Sequence, residues 1–336
     1  MKLSIIIAVY NVEKYIRDCL ESVYRQELDD DSFEVIIVND GTKDNSINVI
    51  SDIVRQHHNI IIVDQENQGS SAAWNKGISK ATGEYILIVD ADDMLIDCSL
   101  KPLLNNALET KADLIVADFL SLDDDEMTRS TVAQIAGEKS TPCYQEKRGQ
   151  DMFLYDLNPS HCYVWRTLYR RLFLIENNLS FIPGIHFQDI PFTTECYIKA
   201  EKCIKASQLL YVYRKRYFLP TYASAINKFY ENTIAISKTW ELVSKYQLSG
   251  KLRAKLEDNV FSNFINFTRR VSNFSKDYMV REDIYEHLRH NIVDMQFKNT
   301  LKHRIISNVF CHYPFLFNYS RYLYIKIIEN RLLRYF

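Results

Sequence analysis

The chain has 336 residues, 47% of them hydrophobic and 25% charged, with only 8 Gly and 7 Pro. Enough apolar surface is available to offset chain entropy, which excludes a disordered, collagenous or low-complexity protein. The net charge of −2 hides an asymmetry: residues 1–150 carry 27 Asp/Glu against 14 Lys/Arg, and residues 151–336 carry 16 against 27, so the acidic half is unsuited to a nucleic-acid surface.

Met1–Ser4 runs directly into Ile5-Ile6-Ile7-Ala8-Val9, and Asn11 and Glu13 then cut the apolar run short. No secretory signal is expected from that pattern. No run reaches the roughly eighteen apolar residues that span a bilayer. Seven scattered cysteines without a C-x-x-C pair predict reduced thiols in a cytoplasmic protein, with neither a zinc site nor a disulfide framework.

Short β-branched runs at Leu3–Val9, Glu34–Val38, Asn59–Asp64, Glu84–Val89 and Leu114–Asp118 suit strands buried on both faces. Between them lie helical spacings: Val12 to Tyr24, Asn45–Gln56, Ser71–Lys80 and Ser99–Glu109. The alternation predicts an α/β fold with a mostly parallel sheet flanked by helices. Residues 121–150 are polar and aperiodic and read as a surface loop. A turn follows at Pro183-Gly184, then a helix near Pro191–Ala200 and a last strand at Gln208–Tyr213. Beyond Arg214-Lys215-Arg216 the pattern over 222–248 and 251–272 is helical, which sets a boundary near 217 and makes 218–336 a C-terminal helical appendage, basic and rich in aromatics.

In doubly wound sheets ligands bind at the carboxyl ends of strands. Those ends are Ala8-Val9-Tyr10-Asn11, Asn39-Asp40-Gly41-Thr42, Asn67-Gln68-Gly69 and Asp90-Ala91-Asp92-Asp93. Three carboxylates after a buried strand repel one another and lose solvation, a cost that Mg²⁺ or Mn²⁺ would remove while also holding substrate phosphates. The plainer alternative is a solvated acidic turn ahead of the next helix. Asp40 reads as turn chemistry or as a hydrogen bond to a ribose or base, and Tyr10 as a core aromatic or a face for a base to stack on. Neither a Walker-type loop nor G-x-G-x-x-G follows the first strand, which disfavours kinase-like and dinucleotide sites.

Ser4–Asn11, Val38-Asn39-Asp40-Gly41-Thr42-Lys43-Asp44-Asn45-Ser46, Asn67-Gln68-Gly69, Asn75-Lys76-Gly77-Ile78, Ala81–Ile86 and Asp90-Ala91-Asp92-Asp93 together resemble the family 2 glycosyltransferases. The resemblance is strong over residues 1–120, weakens over 150–215 and ends near 220. It implies a GT-A fold, with 1–217 as the catalytic domain (1–120 for the nucleotide-sugar, 150–217 for the acceptor). Ala8 and Tyr10 would line the base pocket, and Asn11 would belong to the donor site. Asp40, Asn75, Asp90 and Asp92 would contact the donor, and Asp92 and Asp93 the metal. Trp74 stands where the family has Arg.

Trp165–Arg171 and Gly184–Phe192 look like the family's acceptor side, with Trp165, Arg166, Arg170, Arg171, His161, His186 and Gln188 as candidates. Asp189 matches the family's catalytic base, although an Asp here also suits a helix N-cap. The neutral Gln188 replaces an acidic neighbour, which should lower the Asp189 pKa. A carboxylate opposite the leaving group implies a single, inverting displacement.

The resemblance thus implies transfer from a nucleotide-sugar, expected to be UDP-linked, to a lipid-linked saccharide at the inner membrane face, in surface polysaccharide synthesis. A nucleotidyltransferase and a catalytically impaired carbohydrate- or membrane-binding protein are the alternatives. Residues 299–336 interleave six Lys/Arg with aromatics, which suits a packed helix or a peripheral membrane contact more than nucleic acid.

Overall fold

Leu3–Val9 forms β1, buried along its length except at Ala8, and pairs in parallel with β2 (Phe33–Asn39) on one side and β4 (Tyr85–Asp90) on the other. β3 (Ile60–Asp64) extends this parallel edge beyond β2. The computed structural model describes residues 1–128, 130–132, 143–156, 162–185, 187–216, 222–291, 297 and 300–321. They divide into two units: those within 1–156, 162–184 and 192–216 belong to the first, and those within 185–191 and 222–321 to the second.

The sheet order in the first unit is β3-β2-β1-β4-β8-β6-β9-β5, with β7 also on β9. Here β5 is Met94–Leu95, β6 Leu114–Asp123, β7 Tyr144–Lys147, β8 Thr167–Arg170 and β9 Cys203–Lys215. The expectation of a mostly parallel sheet holds for β1–β4. Beyond β4 the sheet is mixed: β8 runs antiparallel to both β4 and β6, while β6 and β9 are parallel. The stretch read as a loop over 121–150 instead carries the end of β6, β7 and the helix Gly149–Tyr155.

Two glycines set the packing on β1. A Cβ on Gly77, in the helix Ser70–Lys80, would stand 2.4 Å from Ile6 Cγ2, and one on Gly83 would stand 2.5 Å from the Leu3 and Ser4 main chain. At the amino ends of these strands the buried Glu34 carboxylate accepts from the Ser4 hydroxyl (2.6 Å) and from the Thr82 N–H (2.6 Å) and hydroxyl (2.9 Å). That satisfies a charge which would otherwise be costly to bury.

The second unit contains the helices Tyr222–Lys245, Gly250–Phe274, Tyr278–Asn291 and Leu301–His312. Its core is aromatic: Phe264 packs on Phe297, Phe310 and Phe317 at 5.0–6.1 Å, all of them buried. Phe310 and Phe317, aromatics of the 299–336 tail, are therefore core residues, in keeping with the packed-helix reading at those two positions. Tyr313, Phe315 and Tyr319 are exposed, as are Leu301, Ile305 and Leu316. Residues 322–336 of that tail lie outside the described residues. Among those described, no helix is long and apolar enough to cross a membrane.

Candidate active site

The carboxyl ends of β1, β2 and β4 adjoin one another, since Ala8 pairs with both Val38 and Asp90. Past β1, Tyr10 is 41% exposed, so it is not a core aromatic. Asn11 adopts φ 53°, a left-handed conformation that Asn tolerates. Its N–H donates to Thr42 Oγ1 (2.8 Å) and its Oδ1 accepts from the Lys43 N–H (3.2 Å), which ties the two strand ends together. Past β2, the buried Asp40 carboxylate accepts from Gln65 Nε2 (2.8 Å) and from the N–H groups of Gln68 and Gly69 (both 2.9 Å). In this state Asp40 pins the turn that opens the helix Ser70–Lys80.

Past β4, the chain turns through an Asp93 N–H to Asp90 carbonyl bond of 3.1 Å. The turn drives Asp93 inward, where it is 1% exposed. Its Oδ2 accepts from the Tyr211 hydroxyl (2.8 Å) and its Oδ1 from the Arg214 N–H (2.7 Å), both on β9. Burial first, then the charges of Asp92 and Asp90, push the Asp93 carboxyl well above the usual carboxylate range. The Tyr211 oxygen also accepts from the Asp90 N–H at 3.0 Å, so one phenol links two members of the cluster. Asp93 was expected as a metal ligand. With both oxygens engaged and no surface it instead holds the turn against β9.

Asp92 is the outward carboxylate. Its Oδ2 lies 2.5 Å from the guanidinium of Arg216, and its carbonyl accepts from Arg214 Nε at 2.7 Å. Arg214 also contacts Asp124 at 2.6 Å, and the two guanidiniums lie over the Tyr15 ring at 4.8 and 5.3 Å. Tyr15, Asp124, Tyr211, Arg214 and Arg216 are site residues that the motif reading missed. The signal available was the Arg214-Lys215-Arg216 run closing the last strand, which reads locally only as a boundary.

The residues fit a divalent cation in part. Among the described residues no three His, Cys, Asp or Glu side chains are grouped to hold a metal. A cation already rests on Asp92, however, in the form of a guanidinium. Asp92, with Asp90 beside it, could hold a hard cation whose remaining ligands come from water and phosphate oxygens, as Mg²⁺ and Mn²⁺ sites commonly do.

Other expected contacts are engaged elsewhere. Asn75 closes both ends of its amide on the Phe181 main chain, at 2.8 and 2.9 Å, so it fastens a helix to the 179–183 segment rather than facing a donor. Trp74 is buried against Phe181 at 4.9 Å. Trp165, an acceptor-side candidate, is 4% exposed and stacks on Tyr211 at 4.2 Å, so it supports that phenol from behind. Arg170 pairs with the nearly buried Asp113 at 2.6 Å, Arg171 donates to the Gly83 carbonyl, and Arg166 to the Ala117 carbonyl. Gln188 is buried. His161 and His186 lie outside the described residues.

Asp189 opens the helix Asp189–Lys199 and belongs to the second unit, whereas the Asp90–Asp93 cluster belongs to the first. Burial pushes the Asp189 carboxyl up to about 7, against the pull of the Asp189 and Ile190 N–H groups. The expected lowering, argued from the neutral Gln188, is thus reversed: removal from water outweighs the loss of a like charge.

A sheet whose parallel strands bring together, at their ends, an exposed tyrosine, a tied Asn–Thr pair and an acidic cluster has the GT-A fold, the fold of the glycosyltransferase structures it matches. The family model described as glycosyl transferase family 2 matches residues 4–174, and the chain belongs to that family. The glycosyltransferase YibD of Escherichia coli K12 is 35% identical over 214 residues, 63% of this chain and 61% of that protein. The chain thus matches about three fifths of that relative's length. The fold is shared with Staphylococcus aureus TarS, solved in complex with UDP-GlcNAc (TM-score 0.62, 19% identity, 96% of this chain and 89% of that one). It is also shared with the mannosyltransferase PcManGT of Pyrobaculum calidifontis, solved with GDP-Man and Mn²⁺ (TM-score 0.52, 13% identity, 98% and 86%).

Proposed function

We propose that this chain is a metal-dependent, inverting glycosyltransferase that moves a sugar from a UDP-linked donor to a hydroxyl of a lipid-linked saccharide, in surface polysaccharide synthesis. The observation that carries the reading is the Asp90–Asp93 cluster, where one carboxylate is buried to fix the turn and another is turned outward with a cation already on it. That arrangement suits a nucleoside diphosphate and its cation. The UDP-GlcNAc complex of TarS, on the same fold, supports the choice of donor.

Tyr10 offers its exposed ring to the base, while Ala8, Asn11 and Asp40 shape the floor beneath it. Asp92, with Asp90, would hold Mg²⁺ or Mn²⁺, which neutralises charge on the departing diphosphate. Asp189 takes the proton from the attacking hydroxyl. A carboxyl titrating near 7 is poised for that task at neutral pH. Reaction on the face opposite the leaving group inverts the anomeric carbon. The exposed Tyr313, Phe315, Leu316 and Tyr319, with Lys302 and Arg304 exposed nearby, suit a peripheral contact with the cytoplasmic face of a membrane.

The test is UDP release from a panel of UDP-sugars with Mn²⁺, with and without a lipid-linked acceptor extract. Release is expected from at least one donor, and Asp92→Asn should lower it by about a hundredfold or more while the unfolding temperature holds. An unchanged rate in Asp92→Asn would remove the cluster from the reaction.

A further inference from the structure

Two arginines flank the ring of Tyr15 beside the acidic cluster, and they are held very differently. Arg214 is 5% exposed in its side chain and is fixed at several points: its N–H on Asp93, Nε on the Asp92 carbonyl, and Nη1 on Asp124. Arg216 is 42% exposed, and among the described residues its guanidinium is held by the Asp92 carboxylate and the face of Tyr15. Arg214 is framework, whereas Arg216 can leave without breaking the turn.

We propose that Arg216 is a tethered counter-ion that keeps the place of a divalent cation on Asp92 and yields it when a diphosphate arrives, so that cation and nucleotide load as a coupled pair. This rests on the reading of the site as one for a nucleoside diphosphate.

The argument is one of charge and geometry. A guanidinium 2.5 Å from Asp92 Oδ2 neutralises that half-buried carboxylate. A divalent cation, which needs carboxylate oxygen at about 2.1 Å, competes with that guanidinium for the same carboxylate. A cation alone must therefore displace Arg216 into water and binds weakly. A diphosphate supplies anionic oxygens that a planar guanidinium engages in pairs, so Arg216 exchanges one anion for another. Once it has moved, Asp92 is available and the cation binds tightly. By linkage the enhancement is mutual: the cation strengthens nucleotide binding by the same factor.

Mn²⁺ binding to metal-stripped protein, followed by the electron paramagnetic resonance signal of free Mn²⁺, gives the test, with UDP binding in EDTA as the second measurement. Arg216→Gln should bind Mn²⁺ alone several-fold to about tenfold more tightly than wild type, the range expected for removing a half-exposed ion pair. The same variant should bind UDP more weakly in EDTA. Arg216→Lys retains a competing cation and should bind Mn²⁺ alone as wild type does. An Arg216→Gln protein with unchanged or weaker Mn²⁺ affinity overturns the exchange, and so does an Arg216→Lys protein that behaves like Arg216→Gln. If wild type fails to bind UDP even with Mn²⁺ present, the nucleotide reading of the site falls. If wild type binds both and only the Arg216→Gln gain is missing, this inference falls alone.

Discussion

A carboxyl that titrates near 7 has opposite effects on rate and on stability. The folded-state value for Asp189 lies above its ordinary value of 3.8, so the folded protein binds the extra proton more strongly than the unfolded chain. Its contribution to stability is fully present below about pH 4 and is lost as the pH rises through about 7. Its capacity to accept a proton runs the other way and grows over the same upper range. We predict a transfer rate that rises through about pH 7 and a denaturation midpoint that falls from pH 4 to 7. In Asp189→Asn that fall should flatten, donor binding should persist, and transfer should drop by about a hundredfold or more. A variant with near wild-type turnover would assign the proton transfer to another group. At the same scale Asn75 shows the limit of motif reading. Its residue type suits a donor site, but it is engaged by a main chain 106 residues away, a partner that no local pattern could name.

Among the elements, the parallel strands β1 to β4 are legible in the sequence to within a residue or two, because each is a continuous apolar run: β1, β2 and β4 are buried, whereas the edge strand β3 is half-buried to exposed and reads as a strand from its β-branched residues. The four-residue β7, Tyr-Gln-Glu-Lys, was not, since its residues are half-buried or exposed and have no apolar period. The antiparallel entry of β8 between β4 and β6 was not either, because sheet order depends on partners distant in sequence. Within the site, the acidic turn was legible as a motif, whereas the inward setting of Asp93 depends on β9 and was not. The helix Ser70–Lys80 gives an element-scale prediction. Alanine exceeds glycine in helix propensity by about 1 kcal/mol, yet a Cβ at position 77 meets Ile6 at 2.4 Å. Overpacking of this kind costs about 1–3 kcal/mol, so Gly77→Ala should be net destabilising in urea unfolding. A variant more stable than wild type would show that Ile6 can yield at no cost.

At the scale of the whole molecule, the described part of the C-terminal segment buries some of its aromatics and exposes others. Phe310 is fully buried and Phe315 is 67% exposed. Phe310→Ala should destabilise the helical unit by about 3–5 kcal/mol. A double change, Phe315→Ser with Leu316→Ser, should leave the unfolding temperature unchanged and weaken sedimentation with anionic vesicles, and wild-type binding should itself decline as salt rises. Equal vesicle binding by wild type and the double variant would remove this face from membrane contact. The long strand β9 carries one more consequence, for the order in which the molecule comes into being. Asp93 is held by Tyr211 and Arg214, partners 118 and 121 residues further along the chain. At ribosomal rates of about 5–20 residues per second, those partners emerge on the order of ten seconds after the acidic turn they secure. Through that interval the nascent chain presents three crowded carboxylates with no phenol or main-chain N–H from β9 to hold them. A ribosome stalled before residue 211 would display the parallel strands β1 to β4 with the acidic turn still unsecured. The acidic turn is thus among the last parts of the first unit to be secured, after most of the sheet beside it has been made.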